Sequence, residues 1–190
     1  FTISSEELSG VRALEVAMRA LRAGELDTAL VGAVDMSSES VHERALAQMG
    51  LPAGESADGA IALVVERLED AQARGRTIYA IVDDEANLPA WQQSQDVLER
   101  TGKPHAAAGL IQIAALSLCL AQRRALGGTP WYGQTGASLT PVALGGQTSA
   151  IQIQAGPAEV STTTPLSTDG PALAFPTHND KLVFPELSRG

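Results

Sequence analysis

The pattern of apolar residues changes from helical to continuous within the first third of the chain. Residues 9–23 carry apolar side chains with helical spacing, which predicts an amphipathic helix, and Gly24 is suited to end it. Residues 28–35 and 59–68 are continuous apolar runs. Runs of this kind are typical of strands that are covered on both faces.

Shorter elements are predicted around these strands. Residues 68–75 predict a short helix, and residues 77–86 predict a third strand. Residues 37–50 are polar and are interpreted as irregular or helical, while residues 86–103 are polar and weakly patterned. A helix followed by strands around a buried sheet indicates the α/β class.

The second half of the chain contains its most apolar helix. Residues 106–126 are apolar nearly all round, which predicts a central helix that ends at Gly127 and Gly128. Residues 149–156 alternate apolar and polar positions, as a half-buried strand does. From residue 156 the composition changes to Pro, Thr and Ser, so the prediction is a domain over residues 1–155 and an extended linker over residues 156–190.

Composition excludes several classes of function. The chain has 190 residues, with 13 Lys and Arg against 22 Asp and Glu, so an interaction with nucleic acid or an anionic membrane surface is not expected. One cysteine, Cys119, cannot form an internal disulfide, and we expect a buried structural thiol in a reducing compartment. The apolar runs are too short to predict a membrane span, so a cytoplasmic protein is expected. Three dispersed histidines do not predict a metal site.

Four segments occur in an informative order. ALEVAMRALRAGELDTALVGAVD is followed by GAIALVVERLEDAQARGRTIYAIV, then by GKPHAAAGLIQIAALSLCL and ALGGQTSAIQI. In this order they resemble the beta-ketoacyl synthase (ketosynthase) family of the thiolase superfamily. The resemblance implies a thiolase-like α/β fold of alternating helix and sheet layers, and the chain is expected to lack the N-terminal portion of that fold. The closing FPTHNDKLVFP resembles the linker that follows ketosynthases in multidomain polyketide and polyunsaturated fatty acid synthases.

The resemblance also implies where catalytic residues should lie. A condensing ketosynthase carries a nucleophilic cysteine at a helix N-terminus and two histidines. Alignment of the first segment places Glu7 at the cysteine, and alignment of AAAG places Lys103 at the second histidine, with His105 nearby. The first-histidine segment, EAHGTGTPxGD in the family, has no counterpart in residues 83–101. No residue is therefore assigned as catalytic.

The departures at these positions favour a non-catalytic chain-length-factor-like segment of a fatty acid or polyketide synthase. Such a segment would pair with an active ketosynthase as a dimer and shape the acyl tunnel, where Gly145 and Gly146 would allow close backbone approach. Its other partner would be an acyl carrier protein, whose phosphopantetheine thioester is the substrate arm, and no further cofactor is expected. The alternatives are a decarboxylating or atypical condensing ketosynthase that uses Glu7 and His105, and a docking fragment without a tunnel role.

Overall fold

The computed structural model describes residues 1–50, 56–131 and 135–157. All but the first two residues of the predicted linker 156–190 lie outside the described residues. The α-helices are α1 (Ser9–Arg22), α2 (Ser40–Gln48), α3 (Leu68–Ala73), α4 (Ser94–Thr101) and α5 (Ala108–Gln122), and the strands are β1 (Thr28–Met36), β2 (Asp58–Glu66), β3 (Ala80–Val82), β4 (Gly136–Leu139) and β5 (Ile151–Ala155). Two 3-10 turns, Glu6–Leu8 and His105–Ala107, lead directly into α1 and α5.

Helix α1 ends as its sequence predicts. Gly24 has a φ of +72°, and its N–H donates to the carbonyl of Leu21, while Glu25 donates to Ala20. This pair of hydrogen bonds is the Schellman arrangement, which satisfies the last helical carbonyls. The chain then turns directly into β1.

Strands β1 and β2 form an antiparallel pair with Thr28 opposite Glu66 and Met36 opposite Asp58. One face of the pair packs on the core through Val31, which is 4% exposed. The opposite face is open, since the side chains of Leu30 and Val64 are 74% and 67% exposed. The prediction that these strands are covered on both faces is therefore wrong for the described part of the chain.

A second sheet has the order β3-β5-β4, and both pairings are antiparallel. The predicted strand 149–156 is confirmed as β5 and lies in the centre. The predicted third strand is reduced to the three residues of β3, and both β4 and α4 were not predicted. Strand β4 has the sequence GASL, which is too short for an alternating pattern to be recognised.

Helix α5 is the central helix, and its contacts include α1, α4, β2 and β5. Residues His105–Gln122 have a mean hydropathy of 1.4 over 18 residues, which is long and apolar enough for a membrane span, contrary to the sequence expectation. The buried share of this stretch is 44%, and core helices of folded domains have the same length and composition. The helix ends at Arg123 in the left-handed conformation (φ 51°, ψ 39°), and not at Gly127 as predicted.

Helices α1 and α5 approach closely through glycines. A Cβ atom at Gly10 would lie 2.8 Å from Cγ of Leu110, and one at Gly109 would overlap Cγ2 of Val11. The two helices can therefore cross with their backbones near each other. This crossing brings the turns that precede both helices to one side of the molecule.

Candidate functional site

Glu7 lies in the 3-10 turn that leads into α1, between the exposed Glu6 and the fully buried Leu8. Glu6 has a φ of +49°, a left-handed conformation that is uncommon for residues other than glycine. Ser9 stabilises this turn, since its hydroxyl donates to the carbonyl of Glu6 at 2.6 Å and accepts from the N–H of Ser5 at 2.8 Å. The sharp turn presents the Glu7 side chain beside the start of the helix.

The Glu7 carboxylate has a partner on each oxygen. Oε2 accepts a hydrogen bond from the backbone N–H of Leu144 at 3.1 Å. Oε1 lies 3.3 Å from Nδ1 of His105. The side chain of Glu7 is 17% exposed and that of His105 is 26% exposed. The side chain therefore links three separate segments of the chain.

His105 opens the second 3-10 turn, and its backbone is fixed from two sides. The N–H of Ala107 donates to the carbonyl of the buried Pro104 at 2.7 Å. The N–H of Ala106 donates to Oδ2 of Asp35 at 3.2 Å, so the end of β1 caps this turn. Ser37, which is 2% exposed, donates to the other oxygen of Asp35. These contacts fix the backbone position from which the His105 side chain extends to Glu7.

His42 completes a group of three titratable side chains. Its ring centroid lies 5.4 Å from that of His105, with the ring planes inclined by 60°. The sequence interpretation left residues 37–50 as irregular or helical, and the structure places His42 on helix α2 with its ring against that of His105. The segment SVHERALAQ has weak helical periodicity, which was the available signal for the helix but not for the contact.

These side chains line a cavity of about 400 Å³. Glu7, His42, Lys103 and His105 belong to its lining, and Glu7 is the only acidic residue among the described residues that line it. Much of the remaining wall is apolar, with Leu46, Leu98, Leu139, Pro141, Val142 and Leu144. The rest of the described lining adds the polar side chains of Ser56, Ser94, Gln95, Gln112 and Thr140. A cavity of this size with a mixed wall can hold a small molecule.

Lys103, Gly145 and Gly146 are the remaining predicted site residues. Lys103 lines the cavity but is exposed to solvent, and it forms an isolated β-bridge with Ser56. Gly145 and Gly146 form the tip of a turn, in which the N–H of Gly146 donates to the carbonyl of Ala143 at 2.8 Å. An added Cβ at either glycine meets no atom within 4 Å, so the backbone that approaches Glu7 here is that of Leu144.

Cys119 is buried in α5, as predicted. Burial raises the pKa of its thiol to about 11, which disfavours the reactive thiolate. Among residues 1–50, 56–131 and 135–157, no group of three or more His, Cys, Asp or Glu side chains is arranged to hold a metal ion.

Comparison with known proteins shows what the chain is similar to. The family model of the beta-ketoacyl synthase N-terminal domain matches residues 1–71. A structure titled as a type II polyketide synthase acyl-carrier protein in complex with its ketosynthase bound to the hexaketide is similar with a TM-score of 0.62 at 15% identity, and the match covers 82% of this chain and 59% of that one.

Two further structures show the same fold. The ketosynthase from module 6 of the bacillaene synthase from Bacillus subtilis 168 has a TM-score of 0.61 at 18% identity, over 82% of this chain and 47% of that one. The PfaC ketosynthase–chain length factor has a TM-score of 0.57 at 15% identity, over 80% of this chain and 27% of that one. The described residues thus form an α/β, thiolase-like fold of the ketosynthase kind. The chain spans about half of the first matched chains, 59% and 47% of their lengths.

Proposed function

We propose that this chain is a non-catalytic, chain-length-factor-like ketosynthase segment of a fatty acid or polyketide synthase. In this proposal it pairs with an active ketosynthase and shapes the tunnel that receives the growing acyl chain. The observation that supports the proposal is the position of Glu7 and the contacts of its carboxylate. A carboxylate stands where the resemblance places the nucleophile, and both of its oxygens already have partners.

The chemistry of a carboxylate supports this conclusion. Attack of Glu7 on an acyl thioester would release the thiolate and form a mixed anhydride. An anhydride is a stronger acyl donor than the thioester, so the equilibrium opposes loading, and water would cleave any anhydride that formed. A carboxylate at this turn can still stabilise it, because the first N–H groups of a helix favour negative charge.

The cavity supports the tunnel role. Its apolar wall can contact an aliphatic chain, and its volume of about 400 Å³ leaves room for a short one. The partners in this proposal are the active ketosynthase and an acyl carrier protein that delivers the chain on its phosphopantetheine arm. The expected assembly is a dimer.

The test combines association with product length. Light scattering after size-exclusion chromatography measures whether the chain and an active ketosynthase of the same synthase form a complex. In the synthase, Glu7→Ala and Glu7→Gln should leave product formation intact, while Glu7→Trp should shorten the products because the indole fills the cavity. Absence of the complex, together with unchanged products in Glu7→Trp, would refute the proposal.

A second candidate is a decarboxylating or atypical condensing ketosynthase. The contact of 3.3 Å between Glu7 and His105 favours it, since a carboxylate and an imidazole at this distance can hold a proton between them. The charge of Glu7 opposes it, because the carboxylate of a malonyl group would be repelled. Loss of carbon dioxide release from malonyl-carrier protein in Glu7→Ala would favour this candidate over the first.

A further inference from the structure

We infer that Glu7 is the built-in occupant of a carboxylate-binding site, and that removal of its side chain opens this site to an external monocarboxylate. The backbone N–H of Leu144 donates to one oxygen in this site, and Nδ1 of His105 lies 3.3 Å from the other. The inference rests on one part of the proposed function, namely that Glu7 is a held side chain and not a nucleophile. It does not depend on pairing with a ketosynthase.

The first argument is geometric. The two groups come from separate segments, and each lies against a different oxygen of one carboxylate, the Leu144 nitrogen at 3.1 Å and the His105 Nδ1 at 3.3 Å. The N–H of Leu144 has a defined direction, because its turn is closed by the hydrogen bond from Ala143 to the carbonyl of Gln147 at 2.8 Å. The backbone beside His105 is held by Asp35 through Ala106. The N–H of Leu144 and the backbone that carries His105 would therefore keep their places when the Glu7 carboxylate is absent.

The second argument is electrostatic. The whole chain has a net charge of −9, yet the described cavity lining contains Lys103, His42 and His105 against the single carboxylate of Glu7. Without that carboxylate, the described lining holds no acidic side chain, so a bound anion meets no like charge from it. His42 lies against the ring of His105 and adds a second imidazole on the same side.

The third argument is the available space. Truncation of Glu7 to alanine adds room to a cavity of about 400 Å³ that is already lined by this side chain. Acetate is the appropriate probe, since it reproduces the carboxylate and terminal carbon of the glutamate side chain that the variant removes. The N–H of Leu144 and Nδ1 of His105 contact different oxygens of one carboxylate, which a spherical chloride ion cannot reproduce.

The experiment is an acetate titration of the full chain at constant ionic strength, followed by the backbone and imidazole nitrogen signals in NMR spectra. Glu7→Ala should bind acetate at least about tenfold more tightly than the wild type, with the largest shifts at Leu144 and His105. Glu7→Gln is the matched control, because its amide refills the site, and it should bind no better than the wild type. A folded Glu7→Ala protein whose Leu144 and His105 signals ignore acetate would overturn the inference, as would equal binding by all three proteins.

A second truncation, Glu7→Ser, covers the case in which Glu7→Ala does not fold. It also removes the carboxylate, so the Leu144 and His105 signals of the folded Glu7→Ser protein should respond to acetate as those of Glu7→Ala do. A folded Glu7→Ser protein whose Leu144 and His105 signals ignore acetate would overturn the inference. A failed complex with an active ketosynthase would refute the proposed function and leave the acetate result standing, so the two failures are distinguishable.

Discussion

The hydroxyl of Ser149 donates a hydrogen bond to Oε1 of Glu15, which joins the segment before β5 to the middle of α1. The other oxygen of Glu15 pairs with Arg12 at 2.7 Å. Burial raises the pKa of Glu15, but the bonds from Ser149 and Arg12 outweigh burial and hold it below its ordinary value of 4.5. This side chain is therefore more acidic in the folded chain than in the unfolded chain.

The lowered pKa of Glu15 determines how the stability of the fold depends on pH. A lowered pKa in the folded state contributes stability that is present above about pH 4.5 and is lost as the pH falls through the folded value. Ser149→Ala should reduce the free energy of unfolding by about 1–2 kcal/mol at pH 7, because the partly buried carboxylate loses a donor. The difference from the wild type should shrink below pH 4.5 in urea unfolding curves.

Ser117→Ala is the matched control for this prediction. The Ser117 hydroxyl donates to the carbonyl of Ile113 within α5 at 2.8 Å and meets no carboxylate there. The effect of Ser117→Ala on the free energy of unfolding should not change with pH over the same range. A Ser149→Ala effect that stays constant between pH 7 and pH 3 would contradict the linkage.

Asp35 should act as a positioning residue for His105. Asp35→Ala removes the acceptor of the Ala106 N–H, so we expect a loss of about 1–2 kcal/mol in unfolding free energy and a weaker contact between the rings of His105 and His42. Nuclear Overhauser effects between the two rings measure the contact. Asp35→Asn keeps an oxygen acceptor and should retain most of both properties. Equal effects of the two substitutions would mean that the charge, and not the hydrogen bond, is what matters.

The crossing of α1 and α5 should be intolerant of added volume. In Gly109→Ala the new methyl group overlaps Cγ2 of Val11 and lies 3.5 Å from Pro141, so about 1–3 kcal/mol of stability should be lost despite the better helix propensity of alanine. Gly145→Ala is the control, since its methyl group meets nothing within 4 Å. Thermal unfolding of the two variants checks the prediction. A Gly109→Ala protein as stable as Gly145→Ala would show that the helices move apart without cost.

Local sequence patterns predicted the elements that have long, regular stretches. The helix over residues 9–23, its end at Gly24 and the strand over residues 149–156 depend on periodicity and on a helix-ending glycine, and the structure confirms them. Strand β4 and helix α4 were missed, because four residues or a polar helix leave little pattern. Continuous apolar runs suggested coverage on both faces, but which faces are covered depends on the neighbouring elements and not on the strand itself.

The sequence likewise identified only some residues of the candidate site. Glu7 and His105 could be singled out from the sequence, because each stands next to a segment that resembles a ketosynthase. His42 could not, since it is distant from His105 in the sequence and the ring contact, with centroids 5.4 Å apart, arises only in the folded chain. Leu144 contributes through its backbone N–H, which every residue except proline possesses, so no side-chain pattern marks it.

The thiol of Cys119 should be inert in the native chain. With a pKa raised to about 11, only about one thiol in a thousand is ionised at pH 8, and the side chain is 8% exposed. We expect iodoacetamide to alkylate the native protein far more slowly than the protein unfolded in urea, in which the thiol regains its ordinary acidity. Mass spectrometry of the labelled chain measures both rates, and the adduct is assigned without ambiguity because the chain has a single cysteine. Equal rates would show that the thiol of Cys119 is accessible and ionised in the native chain, which would contradict its burial.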